Sequence, residues 1–357
     1  MTQPVGYSFT TTLERIGDYT LLVLDTLFWT FVAPLPAPHQ SLQATVLHHL
    51  IRDDLAQGRV DRTRVLAYLR LPRQAPWLAA AWLKQQDMRY AVELRRHADP
   101  ALGLPDPGDD TVLVRRACLA LLAQDADDKG LAEMLDPHWL ARARAEALLT
   151  AGKGDAEAVV RGLDDAGFVQ ALRERVDIEL ADENPERFTA DAAVELGVDL
   201  KHVPELLIRV YRIDALGHYL RTGAEIGGDL DLAGLQPNHE RRIAYAQGQL
   251  LRHRERIALP ECAGAGTWVV DLIGNGRAAR AVVRKGWLGL RQEVTAAGHR
   301  FTVLDAGGAA LQDARIHVGG RVFAAASDGT CTVPFSTAPK AAAVVASHGD
   351  LARLATF

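Results

Sequence analysis

The spacing of hydrophobic residues changes along the chain, and this change predicts a helical part followed by a strand-rich part. Over residues 11–176, apolar residues recur at three- and four-residue spacing among many Ala, Leu and Arg residues, as in amphipathic helices. Prolines or glycines interrupt this pattern at residues 34–38, 100–110 and 152–154. We therefore expect helical hairpins that are separated by loops.

A two-residue period replaces the helical period after about residue 191. In residues 194–200 the apolar Val194, Leu196, Val198 and Leu200 alternate with polar residues or glycine, which predicts a half-buried strand. Residues 206–213 are rich in β-branched residues and are expected to form its partner strand. Residues 243–257 are expected to be irregular or a short helix, so the arginines of residues 241–256, with glutamates among them, are interpreted as a solvated helix face.

The last third of the chain contains short apolar runs that are separated by glycine-containing turns. Residues 268–273 and 279–284 flank Asn275-Gly276, one of the strongest dipeptide signals for a β-hairpin. Further strands are expected at residues 301–305, 314–318, 321–324, 330–335 and 342–346. Short strands with regularly spaced turns predict an antiparallel sandwich or barrel from about residue 267 to residue 357.

Two stretches of the strand-rich part resemble known β-domain families. Residues 301–335 (FTVLDAGGAALQDARIHVGGRVFAAASDGTCTVPF) resemble carboxypeptidase-regulatory-like, transthyretin-like sandwiches through Asp305 with Gly308 and through the Asp328-Gly329 turn. Residues 194–219, with the core ELGVDLKHVPELLIRVYRID, resemble a macroglobulin-type β-domain. These resemblances imply a module of a large protein, chiefly on bacterial surfaces. The sequence lacks the thioester motif Cys-Gly-Glu-Gln, so the trapping chemistry of macroglobulins is not implied.

The predicted fold class is α+β, an α-helical N-terminal half followed by an antiparallel β-sandwich region. Four regions are expected: a helical region (1–108), helical hairpins (109–186), a β-rich linking segment (187–260) and an immunoglobulin- or transthyretin-like sandwich (261–357).

Charge and cysteine content exclude some classes of site. The net charge of −5 provides no basic surface for a phosphate backbone, so nucleic acid is not expected as a partner. Cys118, Cys262 and Cys331 are far apart in the sequence and form no C-x-x-C motif, which argues against a zinc site or a disulfide framework. Each is expected to be a small core residue.

The N-terminal apolar run, residues 20–35, fits neither a signal peptide nor a membrane-spanning helix. Glu14 and Asp18 precede the run and Asp25 lies inside it, so a cytoplasmic location is expected by default. The segment is similar to the amphipathic N-terminal segment of bacterial lipid-transport permeases. A buried amphipathic helix is favoured, and the alternative is a peripheral membrane anchor formed by Leu21, Phe28, Trp29 and Phe31.

One motif allows an enzymatic hypothesis, a NAD(P)-binding oxidoreductase. Gly274, Gly276 and Ala279 match the dinucleotide pattern G-x-G-x-x-A, and Asp305 ends a later strand, where a ribose-binding acid would lie. The hairpin interpretation is favoured over this one, because Val282-Val283 suit a strand and Gly286 would end the required helix.

No other constellation predicts chemistry. His48 and His49 are adjacent and would point in different directions on a helix, and the Asp229 to Asp231 loop lacks the closing Glu of a calcium loop. We therefore expect no catalytic residue, metal or cofactor. The predicted function is a non-catalytic modular binding or scaffolding protein with a protein partner, as part of a larger macroglobulin-like surface or assembly protein.

Overall fold

The helical and strand patterns of the sequence correspond to two separate units of the structure. The computed structural model describes residues 28–97, 107–124, 128–163, 165–336 and 343–356. The helical unit comprises Met1–Arg175 with Leu250–Arg252, and the β unit comprises Val176–Gln249 with His253–Phe357. The predicted α+β class is confirmed, since helices form the first unit and antiparallel sheets form most of the second.

Helices are the main described secondary structure of the helical unit. They are α1 (Gln40–Ala56), α2 (Arg62–Arg70), α3 (Ala80–Leu83), α4 (Thr111–Gln124), α5 (Leu131–Met134), α6 (Pro137–Thr150), α7 (Ala156–Leu163) and α8 (Ala166–Glu174). Short 3₁₀ turns occupy Ala37–His39, Met88–Tyr90 and Leu94–His97. Helices α2, α6 and α8 begin after Asp61, Asp136 and Asp165, whose carboxylates accept hydrogen bonds from the first free backbone N–H groups.

The core of the helical unit lies between α1, α2, α4 and α6. Its largest fully buried side chains are Trp77, Tyr68, Leu47, Ile51, Leu69, Leu122, Leu131, Met134 and Leu135. The helical pattern ends earlier than the predicted region 109–186, because Asp177–Leu180 is a strand that pairs with the next strand of the β unit.

Fourteen strands are described in the β unit. They are β1 (Asp177–Leu180), β2 (Glu195–Lys201), β3 (Glu205–Ile213), β4 (His239–Ala244), β5 (Arg252–Ala258), β6 (Gly266–Gly274), β7 (Arg277–Lys285), β8 (Gly289–Thr295), β9 (Gly298–Leu304), β10 (Arg315–Val318), β11 (Arg321–Ala324), β12 (Thr330–Val333), β13 (Ala343–His348) and β14 (Leu351–Thr356). A helix, α9 (Ala215–Thr222), follows β3.

The first sandwich packs the sheet β1-β2-β5 against the sheet β4-β3-β6-β7. Its core is formed by alternate residues of the strands, among them Val198, Leu200, Ile208, Val210, Val270 and Leu272. The strands that were predicted at residues 194–200 and 206–213 are confirmed as β2 and β3, but their predicted pairing is wrong. Strand β2 pairs with β1, and β3 pairs with β4 and β6. His202 lies in the left-handed region (φ 55°) just before Val203-Pro204, where the chain crosses to the other sheet, so the apolar faces of β2 and β3 cover each other across the core.

The expectation of irregular or helical structure at residues 243–257 is also wrong. Residues of this segment end β4 and form β5, which are edge strands of the two sheets. Many residues of these two strands are charged, so the two-residue period of apolar residues is hidden in the sequence. Their exposed arginines pair with acids of neighbouring strands, as Arg242 does with Glu205 (2.5 Å).

The Asn275-Gly276 hairpin is confirmed, with Gly274 opposite Arg277 and positive φ at both turn residues. Strand β6 of this hairpin pairs with β3. Its residues Trp268, Val270 and Leu272 supply part of the core of the first sandwich. The hairpin therefore belongs to the sheet of the upstream segment, whereas we had expected it in the C-terminal sandwich. The division of the chain into four regions stays a prediction.

The second sandwich packs the sheet β12-β9-β8 against the sheet β11-β10-β13-β14. Phe301, Val303, Ile316, Val344 and Ala346 are at most 1% exposed in its core. The strands predicted at residues 301–305, 314–318, 321–324, 330–335 and 342–346 correspond to β9 to β13. Strands β8 and β14 were not predicted, since polar or charged residues interrupt the apolar residues of each.

The segment after β3 packs against both sandwiches; its loop at residues 227–231 was predicted, but its helix was not. Helix α9 and the following loop cover the outer face of the first sandwich, where Tyr211, Tyr219 and Val269 pack with Val345 of the second. Arg280 holds the loop by donating a hydrogen bond to the Leu230 carbonyl oxygen (2.5 Å).

Candidate interaction surface

One end of the first sandwich carries an open depression of about 560 Å³, which we call the end groove. Two loops form its walls, the loop before β2 and the loop between β5 and β6. The walls consist mostly of small apolar residues: Ala190, Ala192, Ala193, Val194, Ala258, Leu259, Pro260, Ala263 and Gly264. A concave and mostly apolar lining of this kind is typical of binding sites.

A buried lysine side chain lies among these apolar residues. Lys285 is 4% exposed and its Nζ donates a hydrogen bond to the Cys262 carbonyl oxygen (3.1 Å). At the rim, a hydrogen bond from Thr189, with a smaller contribution from the Lys285 charge, lowers the pKa of the Asp191 carboxyl. The end groove therefore combines apolar contact area with a few fixed polar groups, which is the usual composition of a binding surface.

The surroundings of the Cys262 thiol disfavour its thiolate form. Burial, and after it the neighbouring Glu261, raises the pKa of Cys262 to about 12, so the thiol is protonated at neutral pH. Burial likewise raises the pKa of Cys118 to about 12, and the three cysteines are buried and free, as the sequence predicted.

The residues of the dinucleotide motif do not form a phosphate loop. Gly274 and Gly276 flank the hairpin turn, and Ala279 lies in strand β7, so the helix N-terminus that a pyrophosphate would need is missing. Gly274 is required by packing, because an added Cβ would lie 2.6 Å from Val203 Cγ1. Asp305 lies in the second sandwich and accepts hydrogen bonds from the Gly307 and Ala309 N–H groups of its own turn.

The arginine-rich segment is also not a free cationic surface. Arg254 pairs with Asp199 (2.7 Å) and with Glu183, and Arg256 pairs with Glu195 (3.1 Å). These cross-strand pairs neutralise the edge strands, so the interpretation as a helix face is replaced by a charged sheet edge.

Histidines and acidic loops form no metal site in the parts of the chain that the structure describes, since no group of three or more His, Cys, Asp or Glu residues is placed to hold an ion. His48 and His49 are both buried in α1 with ring centroids 5.4 Å apart. Burial, followed by the charge of Arg52, lowers the pKa of each to about 4, so both are neutral at physiological pH.

The helical unit contains a buried ion pair beside these histidines. Arg73 Nε lies 3.2 Å from Asp110 Oδ2, and the Tyr68 hydroxyl donates a hydrogen bond to the same oxygen (2.8 Å). The guanidinium lies 4.3 Å from the centroid of the Tyr68 ring and 4.9 Å from that of the Trp77 ring. Because Arg73 and Asp110 are 4% and 5% exposed, we interpret this cluster as part of the core rather than as a binding site.

The predicted membrane anchor is only partly described. Leu21 lies outside the described residues, and Trp29 packs against the helical core. Phe28 and Phe31 remain 44% and 67% exposed, with ring centroids 6.4 Å apart. Within the described residues, the helices are too short or too polar to span a bilayer. Peripheral membrane association stays a prediction.

Sequence comparisons match both units to one kind of protein. Residues 24–176 match the family model of the actin-binding protein F N-terminal domain, and residues 206–286 match that of the first immunoglobulin-like domain of the same protein. The second match covers β3 to β7, so the first sandwich is similar to an immunoglobulin-like domain. The bacterial and carboxypeptidase-regulatory-like assignments receive no such match.

One relative aligns with most of the chain. The chain is 25% identical over 326 residues to actin-binding protein F of Dictyostelium discoideum, which is 90% of this chain. The chain spans about 14% of the length of that relative.

Solved structures give weaker likenesses. Native alpha-2-macroglobulin from Escherichia coli, spanning domains MG0-NIE-MG1, is 12% identical with a TM-score of 0.36, over 51% of this chain and 64% of that chain. A chimeric titin Z1Z2 tandem is 16% identical with a TM-score of 0.26, over 51% of this chain and 96% of that chain. Likenesses at this level carry no argument. The sequence matches support the predicted class, a binding or scaffolding protein, and none of them points to an oxidoreductase.

Proposed function

We propose that this chain is an actin-binding scaffold protein. The observation that carries the proposal is the single alignment to actin-binding protein F, which runs over 326 residues and so includes most of both units. The two family models match in the same order along the chain, the helical domain first and the immunoglobulin-like domain second.

The geometry of the β unit supports binding more than chemistry. The end groove offers apolar walls around the buried Lys285, and the Cys262 thiol beside it is protonated. The arginines of the sheet edge are already paired with acids, so general attraction of anions is not its basis. We assign the filament contact to the end groove.

The first experiment is co-sedimentation of the full chain with actin filaments, with microtubules as a second acidic polymer. We expect saturable pelleting with actin filaments and none with microtubules. Equal pelleting with both polymers would indicate charge-driven adsorption, and no pelleting with either would refute actin binding.

The second experiment locates the contact. Ala193→Arg and Ala263→Arg each place a long side chain in the end groove from an exposed position, so the fold should tolerate both. We expect filament affinity to fall at least about tenfold, which is about 1.4 kcal/mol. Ala326→Arg, at an exposed turn of the second sandwich, is the matched control. Wild-type affinity in both groove variants would exclude this surface while leaving actin binding itself intact.

We also propose a division of the chain that differs from the four predicted regions. The helical unit, the immunoglobulin-like sandwich up to β7 and the second sandwich from β8 would be three modules, and each has its own buried core. The second sandwich would be carboxypeptidase-regulatory-like, on the basis of the Asp305 and Asp328-Gly329 turns. Limited proteolysis should cut between these modules before it cuts within them.

A further inference from the structure

Strand β8 is an edge strand with one free side. Among the described strands it pairs only with β9, over its whole length of seven residues. Leu290, Gln292 and Val294 lie opposite Val303, Phe301 and His299, so these three residues face the same side as the core. Val294 is nevertheless 71% exposed, which leaves an apolar side chain uncovered next to the free edge.

The backbone of β8 has hydrogen-bonding groups on that free side. Thr295 and Gly298 close the β8–β9 hairpin across a two-residue turn and form a hydrogen-bonded pair. Because bonded and non-bonded positions alternate, the N–H and C=O groups of Leu290, Gln292 and Val294 point away from β9. Such an edge is a template for a further strand.

The sequence of β8 is complementary to itself when it is read in the opposite direction. In an antiparallel pair centred on Gln292, Leu290 lies opposite Val294 of the other copy, and Arg291 lies opposite its Glu293. Apolar side chains then meet apolar ones on one face, and opposite charges meet on the other. The existing contacts of Glu293, with Arg291 at 3.6 Å and Arg300 at 3.8 Å, are long and exposed and leave its carboxylate available.

We propose that two copies of this chain associate through their β8 edges, antiparallel and with the two-fold axis at Gln292. The two sheets that contain β8 then form one continuous sheet, and each copy contributes the same surface. The hydrogen-bonded positions of this register are Leu290, Gln292 and Val294, which are the positions whose backbone groups point outward.

Other registers lack this charge complementarity. Moving the centre by one residue places Arg291 opposite Arg291, or Glu293 opposite Glu293, and like charges directly opposite are destabilising. One edge strand buries less area than a standard interface of about 1,200–2,000 Å², so the dimer is expected to be weak and concentration-dependent. It is also expected to weaken with salt.

Sedimentation equilibrium of the full chain tests the proposal through charge exchange. Arg291→Glu alone and Glu293→Arg alone each place like charges opposite each other, and we expect the dimer to weaken at least about tenfold. The double variant restores opposite charges and should dimerise within about threefold of the wild type.

Mixing the two single variants gives the sharpest result. The Arg291→Glu variant has glutamate at positions 291 and 293, and the Glu293→Arg variant has arginine at both. Opposite charges therefore face each other in a heterodimer, so the mixture should associate although each variant alone does not. This recovery also shows that both variants are folded. Arg277→Glu, at the exposed hairpin between β6 and β7, is the control and should dimerise like the wild type.

Three results would overturn the proposal. They are a wild type that is monomeric at every concentration, single variants that dimerise as strongly as the wild type, and a double variant or mixture that stays monomeric. Because the measurement contains no actin, its outcome is independent of filament binding.

Discussion

The two units of this chain differ in where their ion pairs lie. The helical unit encloses them: Arg73 and Asp110 form a buried pair, and buried Glu146 accepts from Arg175 (2.8 Å) and Arg115. The first sandwich of the β unit also buries Lys201 and Lys285, but its ion pairs lie mostly at the surface, as Arg209 with Glu240 does (2.8 Å). The same types of residue therefore have different roles in the two units.

The effect of such a pair on stability depends on its burial. In the helical unit Arg73 and Asp110 are enclosed, and an enclosed charge must be paired because its desolvation is costly. In the sandwich, strand alternation directs every second side chain to solvent, and there an ion pair contributes little. We therefore expect removal of a buried, paired charge from the helical unit to cost far more stability than removal of an exposed, paired charge from the β unit. Hydrogen exchange measured peptide by peptide reports on each unit separately.

The largest effect is expected for Asp110→Ala. It leaves the Arg73 guanidinium buried without its carboxylate and removes the acceptor of the Tyr68 hydroxyl, so the helical unit should lose about 3–5 kcal/mol of unfolding free energy. Asp350→Ala, which removes an exposed partner of Arg212, is the matched control and should cost less than about 1 kcal/mol. Similar losses of unfolding free energy in Asp110→Ala and Asp350→Ala would contradict the difference between buried and exposed pairs.

Acidification should produce the next largest effect, again in the helical unit. Burial, and then Arg52, lowers the pKa of His48 and His49 to about 4, from about 6.5 in the unfolded chain. The unfolded state then binds more protons, so this stability is present above about pH 6.5 and is lost as the pH falls towards 4. At about pH 5 the loss should be roughly 2–4 kcal/mol for the two residues together. Chemical denaturation at several pH values measures it, and a His48→Gln, His49→Gln double variant should show a flatter pH dependence.

A smaller effect is expected for Gly274→Ala in the β unit. The new Cβ would lie 2.6 Å from Val203 Cγ1 and 2.9 Å from the Glu205 carbonyl oxygen, so overpacking should cost about 1–3 kcal/mol. NAD(P) should bind neither form, because the motif forms a hairpin. Thermal shift with and without NAD(P) measures both the stability loss and nucleotide binding. If NAD(P) stabilised the wild type but not Gly274→Ala, a dinucleotide site at this hairpin would be indicated.

The smallest effect is expected for Arg256→Ala on β5. This exposed arginine pairs with Glu195 at 3.1 Å, and its loss should change the unfolding free energy by less than about 1 kcal/mol. The change should vanish at high salt, because salt screens exposed pairs. A loss as large as that of Asp110→Ala would show that surface pairs hold the sandwich together.

Sequence periodicity predicted elements better than it predicted how they pair. The alternation in residues 194–200 and the Asn275-Gly276 dipeptide are local signals, and β2 and the β6–β7 hairpin are present as expected. The pairing of β2 with β3 was wrong, because adjacent strands in sequence either pair or cross to the opposite sheet and both leave the same alternation. Charged edge strands such as β5 were missed for a related reason, since their arginines obscure the apolar period.

The end groove could not be predicted from the sequence. Its walls come from two loops far apart along the chain, and their alanines and Pro260 match no motif. The contact between Lys285 and Cys262 could not be predicted either. It forms because the end of β7 lies beside the loop between β5 and β6. The self-complementary pattern of β8 can be read from the sequence, but its importance depends on the free edge that the fold creates.

The most direct test of the proposed function is a titration of the full chain with increasing actin filaments, followed by sedimentation. We predict that the bound fraction rises to saturation for the wild type and for Ala326→Arg, and that the curve for Ala193→Arg shifts to at least about tenfold higher filament concentration. A wild type that stays in the supernatant at every filament concentration would contradict the account.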